Sequence, residues 1–123
     1  MTTALSMALR ARAAGLLPDE AATCLLISHG GFLHREDFTA FVRTAPSISD
    51  GTMLAWIDWD AVTAALDHGQ LPLSSGERRI LQLTASLAAG TPVTLREAIP
   101  GLDQHNLRLI TTAIRHAAGQ HHH

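Results

Sequence analysis

The feature that most constrains this chain is its punctuation. Apolar residues recur every three or four positions, and the runs are cut by helix-starting residues and by glycines. Met1–Ala14 is built largely of alanine, leucine and arginine, all strong helix formers, and Gly15 stands where a glycine ends a helix. Pro18-Asp19-Glu20 suits a first helical turn. Proline lacks the N–H that such a turn leaves unbonded, and the acids favour the positive end of the helix dipole. That helix is expected to run through Ala22, Leu25, Leu26 and Ile27 and to stop at Gly30-Gly31. Phe38, Phe41 and Val42, spaced i, i+3, i+4, predict a third helix over about residues 34–44. Pro46 and the Ser47–Gly51 stretch read as a loop. Thr52–Ile57 reads either as a short strand or as a helical turn; with no second strand candidate to pair with it, it is expected to be helical or irregular. Asp58 is expected to cap a helix through Trp59, Val62, Ala65 and Leu66 that ends at Gly69.

The second half is punctuated more clearly. Ser74-Ser75-Gly76-Glu77 has the spacing of a capping box, in which a hydroxyl bonds a free N–H and the Glu three residues on reaches back. The helix it opens carries Ile80, Leu83 and Leu87 on one stripe, flanked by Leu81 and Ala88, and stops at Gly90. Thr94-Leu95-Arg96-Glu97 repeats the box ahead of a short helix that must end near Pro100-Gly101. Asp103 opens the last helix, where Leu107, Ile110, Ile114 and Ala117 form the predicted core stripe, and Gly119 ends it. The fold class expected is therefore all-α: a compact bundle of six or seven short helices with a C-terminal three-helix unit. Residues 1–120 are expected to form one helical domain. Pro72-Leu73 marks a boundary between sub-units 1–70 and 74–118, each with a thin core alone.

Composition excludes several classes. With 123 residues, 46% apolar and 16% charged, the chain is too apolar for a disordered tail and long enough to bury a core. Its nine cationic side chains are all arginine, and the net charge is −2, so whole-molecule steering is weak. The distribution is uneven: residues 1–73 hold four arginines against eight acids, and residues 74–123 hold five against three. Cys24 is alone, which excludes an internal disulfide and fits a reducing, cytoplasmic compartment. No run approaches the ~18 apolar residues of a membrane span, so no membrane partner is expected. His121-His122-His123 reads as the remnant of a purification tag.

No catalytic set assembles from the sequence: GxSxG, P-loop, CxxC and HExxH patterns are all missing. Cys24, His29, His34, Glu36 and Asp37 lie near one another in sequence. A metal needs three or four ligands converging at about 2 Å, and the intervening double glycine gives no such spacing. Neither metal, cofactor nor catalytic residue is expected, and the chain reads as non-catalytic. Trp56 and Trp59, the only tryptophans, would share a face in a helical turn, and paired indoles are candidates for anchoring a protein partner or a second copy in a homodimer. Indoles also fill cores, and the sequence leaves both roles open.

Residues 74–118, read as helix, short helix, tight turn and helix, resemble a helix-turn-helix unit. The resemblance implies that Leu95–Ile99 is the positioning helix, Pro100-Gly101-Leu102 the turn and Gln104–Ala117 the helix that enters the major groove. Gln104, His105, Arg108, Thr112 and Arg115 fall opposite the apolar stripe and are of types that contact phosphates and base edges, which makes DNA the alternative partner. No strand pair follows the last helix, unlike the winged form, and the surplus of two arginines is small for a DNA binder. Over about residues 30–118, the stretches Ala55-Trp56-Ile57-Asp58-Trp59, Ser75-Gly76-Glu77-Arg78-Arg79-Ile80-Leu81 and Gly101-Leu102-Asp103 resemble a group of small uncharacterised actinobacterial helical proteins. That likeness implies a bacterial, cytoplasmic setting and no particular activity.

Overall fold

Seven helices and one β-hairpin make up the computed structural model, which describes residues 2–120; the terminal histidines read above as a tag lie outside them. The helices are α1 (Thr2–Ala13), α2 (Leu17–His29), α3 (Glu36–Thr39), α4 (Trp59–Asp67), α5 (Ser75–Ala89), α6 (Leu95–Ala98) and α7 (Gln104–Ala117). A 3-10 turn, Phe32–His34, precedes α3. The strands β1 (Val42–Pro46) and β2 (Met53–Ile57) pair antiparallel, with Arg43 opposite Trp56 and Ala45 opposite Leu54.

The hairpin corrects the all-α expectation, since the chain is mostly helical but not purely so. The predicted 34–44 helix is cut to a 3-10 turn and the four residues of α3. The chain then leaves helical geometry at the β-branched Val42, and Pro46 closes the segment because its ring admits no helical hydrogen bond. The partner that Thr52–Ile57 lacked was hidden in that predicted helix. Between the strands, Ser47 N–H donates to the Thr52 carbonyl at 2.7 Å and Gly51 N–H to the Ser47 carbonyl at 2.9 Å. Gly51 takes φ +75°, a left-handed turn that glycine adopts without a Cβ clash.

Three of the four predicted side-chain caps form. Asp58 Oδ1 accepts from Ala61 N–H at 3.2 Å, and Asp103 Oδ1 from Asn106 N–H at 2.7 Å. Ser74 Oγ accepts from Glu77 N–H at 3.2 Å while Ser74 N–H donates to Glu77 Oε1 at 2.9 Å, completing the first capping box. That backbone bond is the main reason the Glu77 carboxyl titrates below its ordinary range. The second box does not form. Thr94 gives α6 no side-chain cap, and its carbonyl instead accepts from Glu97 and Ala98 N–H at 3.0 Å each.

One core cluster draws on every layer, from Ala8 and Leu9 of α1 through Leu25, Phe32, Phe38, Ile57, Val62 and Ile80 to Ile110 and Ala113 of α7. α2 lies at its centre, packed against α1, α5 and α7, and β2 lies against α1. Four rings run through one side of it. His29 stacks on Phe32 at 4.5 Å, Phe32 meets Phe38 at 5.4 Å, and Phe38 meets Trp59 edge-on at 6.4 Å. α7 is tied to α2 by His116 Nε2, 3.1 Å from Glu20 Oε1.

The predicted stripe of α7 is only partly right. Ile110 is buried and Ala117 partly so, but Leu107 and Ile114 are 45% and 52% exposed, while Asn106 and Ala113 point inward. At 3.6 residues per turn, this turns the inner face by about 60° from the one the apolar residues predict. The small Ala113 side chain permits close approach to the neighbouring helices, and Asn106 sits beside the Cβ-less Gly76 of α5.

Candidate functional site

β2 decides where the first indole goes. Along a strand, successive side chains alternate between faces. Ala55 and Ile57 are buried, so Trp56 between them points outward and is 36% exposed. The guanidinium of Arg12, from the last turn of α1, lies 5.7 Å from the centre of its ring. This is cation–π geometry and holds the indole in one orientation. Nearby in the hairpin, Met53 is 52% exposed and Ile48 is fully so.

Trp59, the first residue of α4, is partly buried against the core with its edge contact to Phe38. The two indoles therefore do not lie along one helical turn, as the spacing suggested. They do line one cleft of about 200 Å³, with Arg12, Asp19, Thr23 and Leu26 in its walls. On the far side Arg43 Nη1 donates to the Ala40 carbonyl at 2.9 Å, and its Nη2 lies 3.4 Å from Asp58 Oδ2. Sequence reasoning missed Arg12 and Arg43 here. Their pairing with Trp56 and Asp58 exists only once the hairpin has formed.

The five residues offered for nucleic acid, Gln104, His105, Arg108, Thr112 and Arg115, are all exposed on α7. At 3.6 residues per turn they fall within about 100° of arc. The helix contains no acidic residue, and the exposed Leu107 and Ile114 border this face.

His29, His34 and Cys24 are not brought together. His29 Nδ1 accepts from Gly31 N–H at 3.2 Å, His34 is exposed, and Cys24 Sγ accepts from Arg10 at 3.4 Å. Among the described residues, no group of three or more His, Cys, Asp or Glu is arranged to hold a metal ion.

Burial lowers the His29 pKa and outweighs the upward pull of Glu77; the nearby His105 lowers it further, and Asp103 opposes it least. A histidine kept neutral by the fold contributes stability above its unfolded pKa of about 6.5 and loses it as pH falls towards the depressed folded value. Melting temperature should therefore drop as pH is lowered from about 7 towards 5, before the carboxylates titrate. In His29→Phe, which keeps the stack on Phe32, that component of the drop should vanish; an unchanged pH profile would remove His29 as its source.

The fold and this surface define a small helix-rich protein with one hairpin that carries an arginine-covered tryptophan. No protein-family model, no curated protein and no solved structure matches the chain. Among the described residues, no helix is long and apolar enough to cross a membrane.

Proposed function

We propose that this chain is a non-catalytic helical protein that works by binding another protein, a second copy of itself included, through the face around Trp56. The supporting observation is the outward indole under Arg12. Tryptophan and arginine are the residue types most enriched among interface hot spots, and a preorganised pair loses little conformational freedom on docking. Leu54, two residues earlier on the same face of β2 and partly exposed, extends the apolar contact along the hairpin. Sedimentation of the chain over a wide concentration range, with capture of partners on immobilised protein, tests the reading. Trp56→Ala should weaken association at least about tenfold with little change in melting temperature, as expected for a hot-spot anchor. Trp59→Ala should instead lower stability, because its ring packs on Phe38. A chain that stays monomeric and captures nothing that Trp56→Ala releases would end this proposal.

A second reading rests on a different observation, the acid-free outer face of α7. In it, residues 74–118 act as a helix-turn-helix-like unit of a DNA-binding regulator, with Arg108 and Arg115 on phosphates and Gln104, His105 and Thr112 towards base edges. Arg108→Ala and Arg115→Ala should each weaken duplex binding and lower the slope of log affinity against log salt by about one. No gel retardation of any duplex at low salt would exclude it.

A further inference from the structure

A cavity of about 410 Å³ opens between α4, α5 and the segment that leads into α6. Its lining includes the apolar residues Pro92 and Val93, which keep exposed surface, and its polar groups include Arg78, Arg79 and the hydroxyls of Ser75 and Thr94. The volume falls in the range of small-molecule sites, which pair an apolar lining with a few convergent polar groups.

The two arginines are the telling feature. Both are partly buried, and among the described residues neither side chain makes a hydrogen bond or an ion pair, whereas Arg35 and Arg43 are both engaged. Arg79 is also closely placed. A Cβ at Gly101 would overlap its Nη1, so the left-handed glycine of the α6–α7 turn leaves the space that the guanidinium occupies. A guanidinium held in a slot without an acceptor offers its N–H donors to something else.

Thr63 in the α4 wall is a second uncommitted donor. The helical threonines Thr39 and Thr84 return their hydroxyls to the carbonyl four residues back, at 3.0 and 2.7 Å. Thr63 Oγ1 makes no such bond and is buried without any partner. Rotation about χ1 carries a helical threonine hydroxyl between two wells, so it can be turned to a ligand at small cost. Asp67 and Glu97 also line the cavity, but both are exposed and stand beyond 4.0 Å from either guanidinium. Solvent screens them, and they weaken the arginines' attraction for an anion without cancelling it.

From this arrangement we infer that the cavity binds a small phosphorylated molecule, with the phosphoryl group on Arg78, Arg79 and Thr63 and an apolar body against Pro92 and Val93. A phosphate monoester carries nearly two negative charges and three terminal acceptor oxygens, which matches two guanidiniums and a hydroxyl. A carboxylate has one charge and one planar pair of oxygens, and would leave donors unused.

Calorimetric titration with phenyl phosphate at low salt tests the inference, with inorganic phosphate and benzoate as comparators. Phenyl phosphate should bind one to one and tighter than either. Arg78→Gln and Arg79→Gln should each weaken it at least about tenfold, the scale of a lost charge-assisted bond. Glu97→Gln should tighten it, and Arg10→Gln on α1 should leave it unchanged. Thr63→Val, close to isosteric, should weaken binding while the melting temperature holds or rises, a combination that a purely structural threonine would not give. No binding at millimolar phenyl phosphate, equal binding of benzoate, or equal weakening by Arg10→Gln would each overturn the assignment.

Discussion

Phe38→Ala should cost about 3–5 kcal/mol, the usual range for removing a buried phenyl ring. Against the roughly 5–15 kcal/mol that a domain of ordinary stability has in total, this removes a large share. Position adds to burial here. Phe38 is 1% exposed, and its ring stands between Phe32 at 5.4 Å and Trp59 at 6.4 Å. It is the middle link that joins the end of α2 and the 3-10 turn to the start of α4. The melting temperature should fall by roughly 10–25 °C on the scaling for a chain of this length. Trp59 emission should shift to the red in the native state as water reaches its edge. Phe38→Leu, which keeps most of the volume, should lose less than half as much. A loss in Phe38→Ala of under about 1 kcal/mol is the size seen at surface positions, and would mean that the ring does not hold these elements together.

What the sequence made legible was mostly short-range. Asp58, Ser74 with Glu77, and Asp103 start their helices with bonds to N–H groups three residues away, and residue type alone specifies such bonds. The failures share a different cause. Thr94 and Glu97 spell the same box as Ser74 and Glu77, yet α6 is four residues long and its first turn is closed by the Thr94 carbonyl instead. The hairpin was missed because Phe38, Phe41 and Val42 have helical spacing, although the helix stops at Thr39 and Val42 already belongs to β1. A strand is recognised by its partner, and the partner of Met53–Ile57 lay across a loop from it, in residues assigned elsewhere.

Two candidate surfaces depended on that same long-range information. Trp56 faces outward because β2 alternates; a helical turn would have set it on one face with Trp59. Arg78 and Arg79 were legible as charges, but not as the wall of a cavity. That requires α4 and the Thr94 segment to be placed around α5.

Ala113→Glu and Ile114→Glu form the sharpest test of how α7 sits, because the apolar pattern and the structure give opposite answers. By pattern, Ile114 belongs to the core stripe with Leu107 and Ile110, and a glutamate there should be ruinous. In the structure Ile114 is 52% exposed and Ala113 is 3% exposed. Ala113→Glu would set an unpaired carboxylate in the core, and a buried charge without a partner costs about 3 kcal/mol or more. Ile114→Glu would place its carboxylate in water and should change stability by less than about 0.5 kcal/mol. The orientation follows from fixed points at each end of the helix. Asn106, 6% exposed, is turned in beside Gly76, and His116 reaches Glu20 across the seam with α2. Between those points Ile110 and the small Ala113 face inward, and Leu107 and Ile114 are carried to the border of the outer face. Urea denaturation of the two variants measures the difference directly. A stable Ala113→Glu beside an unfolded Ile114→Glu would mean that the helix is turned by about 60° towards its apolar stripe, with the outer face proposed for DNA turned by the same angle.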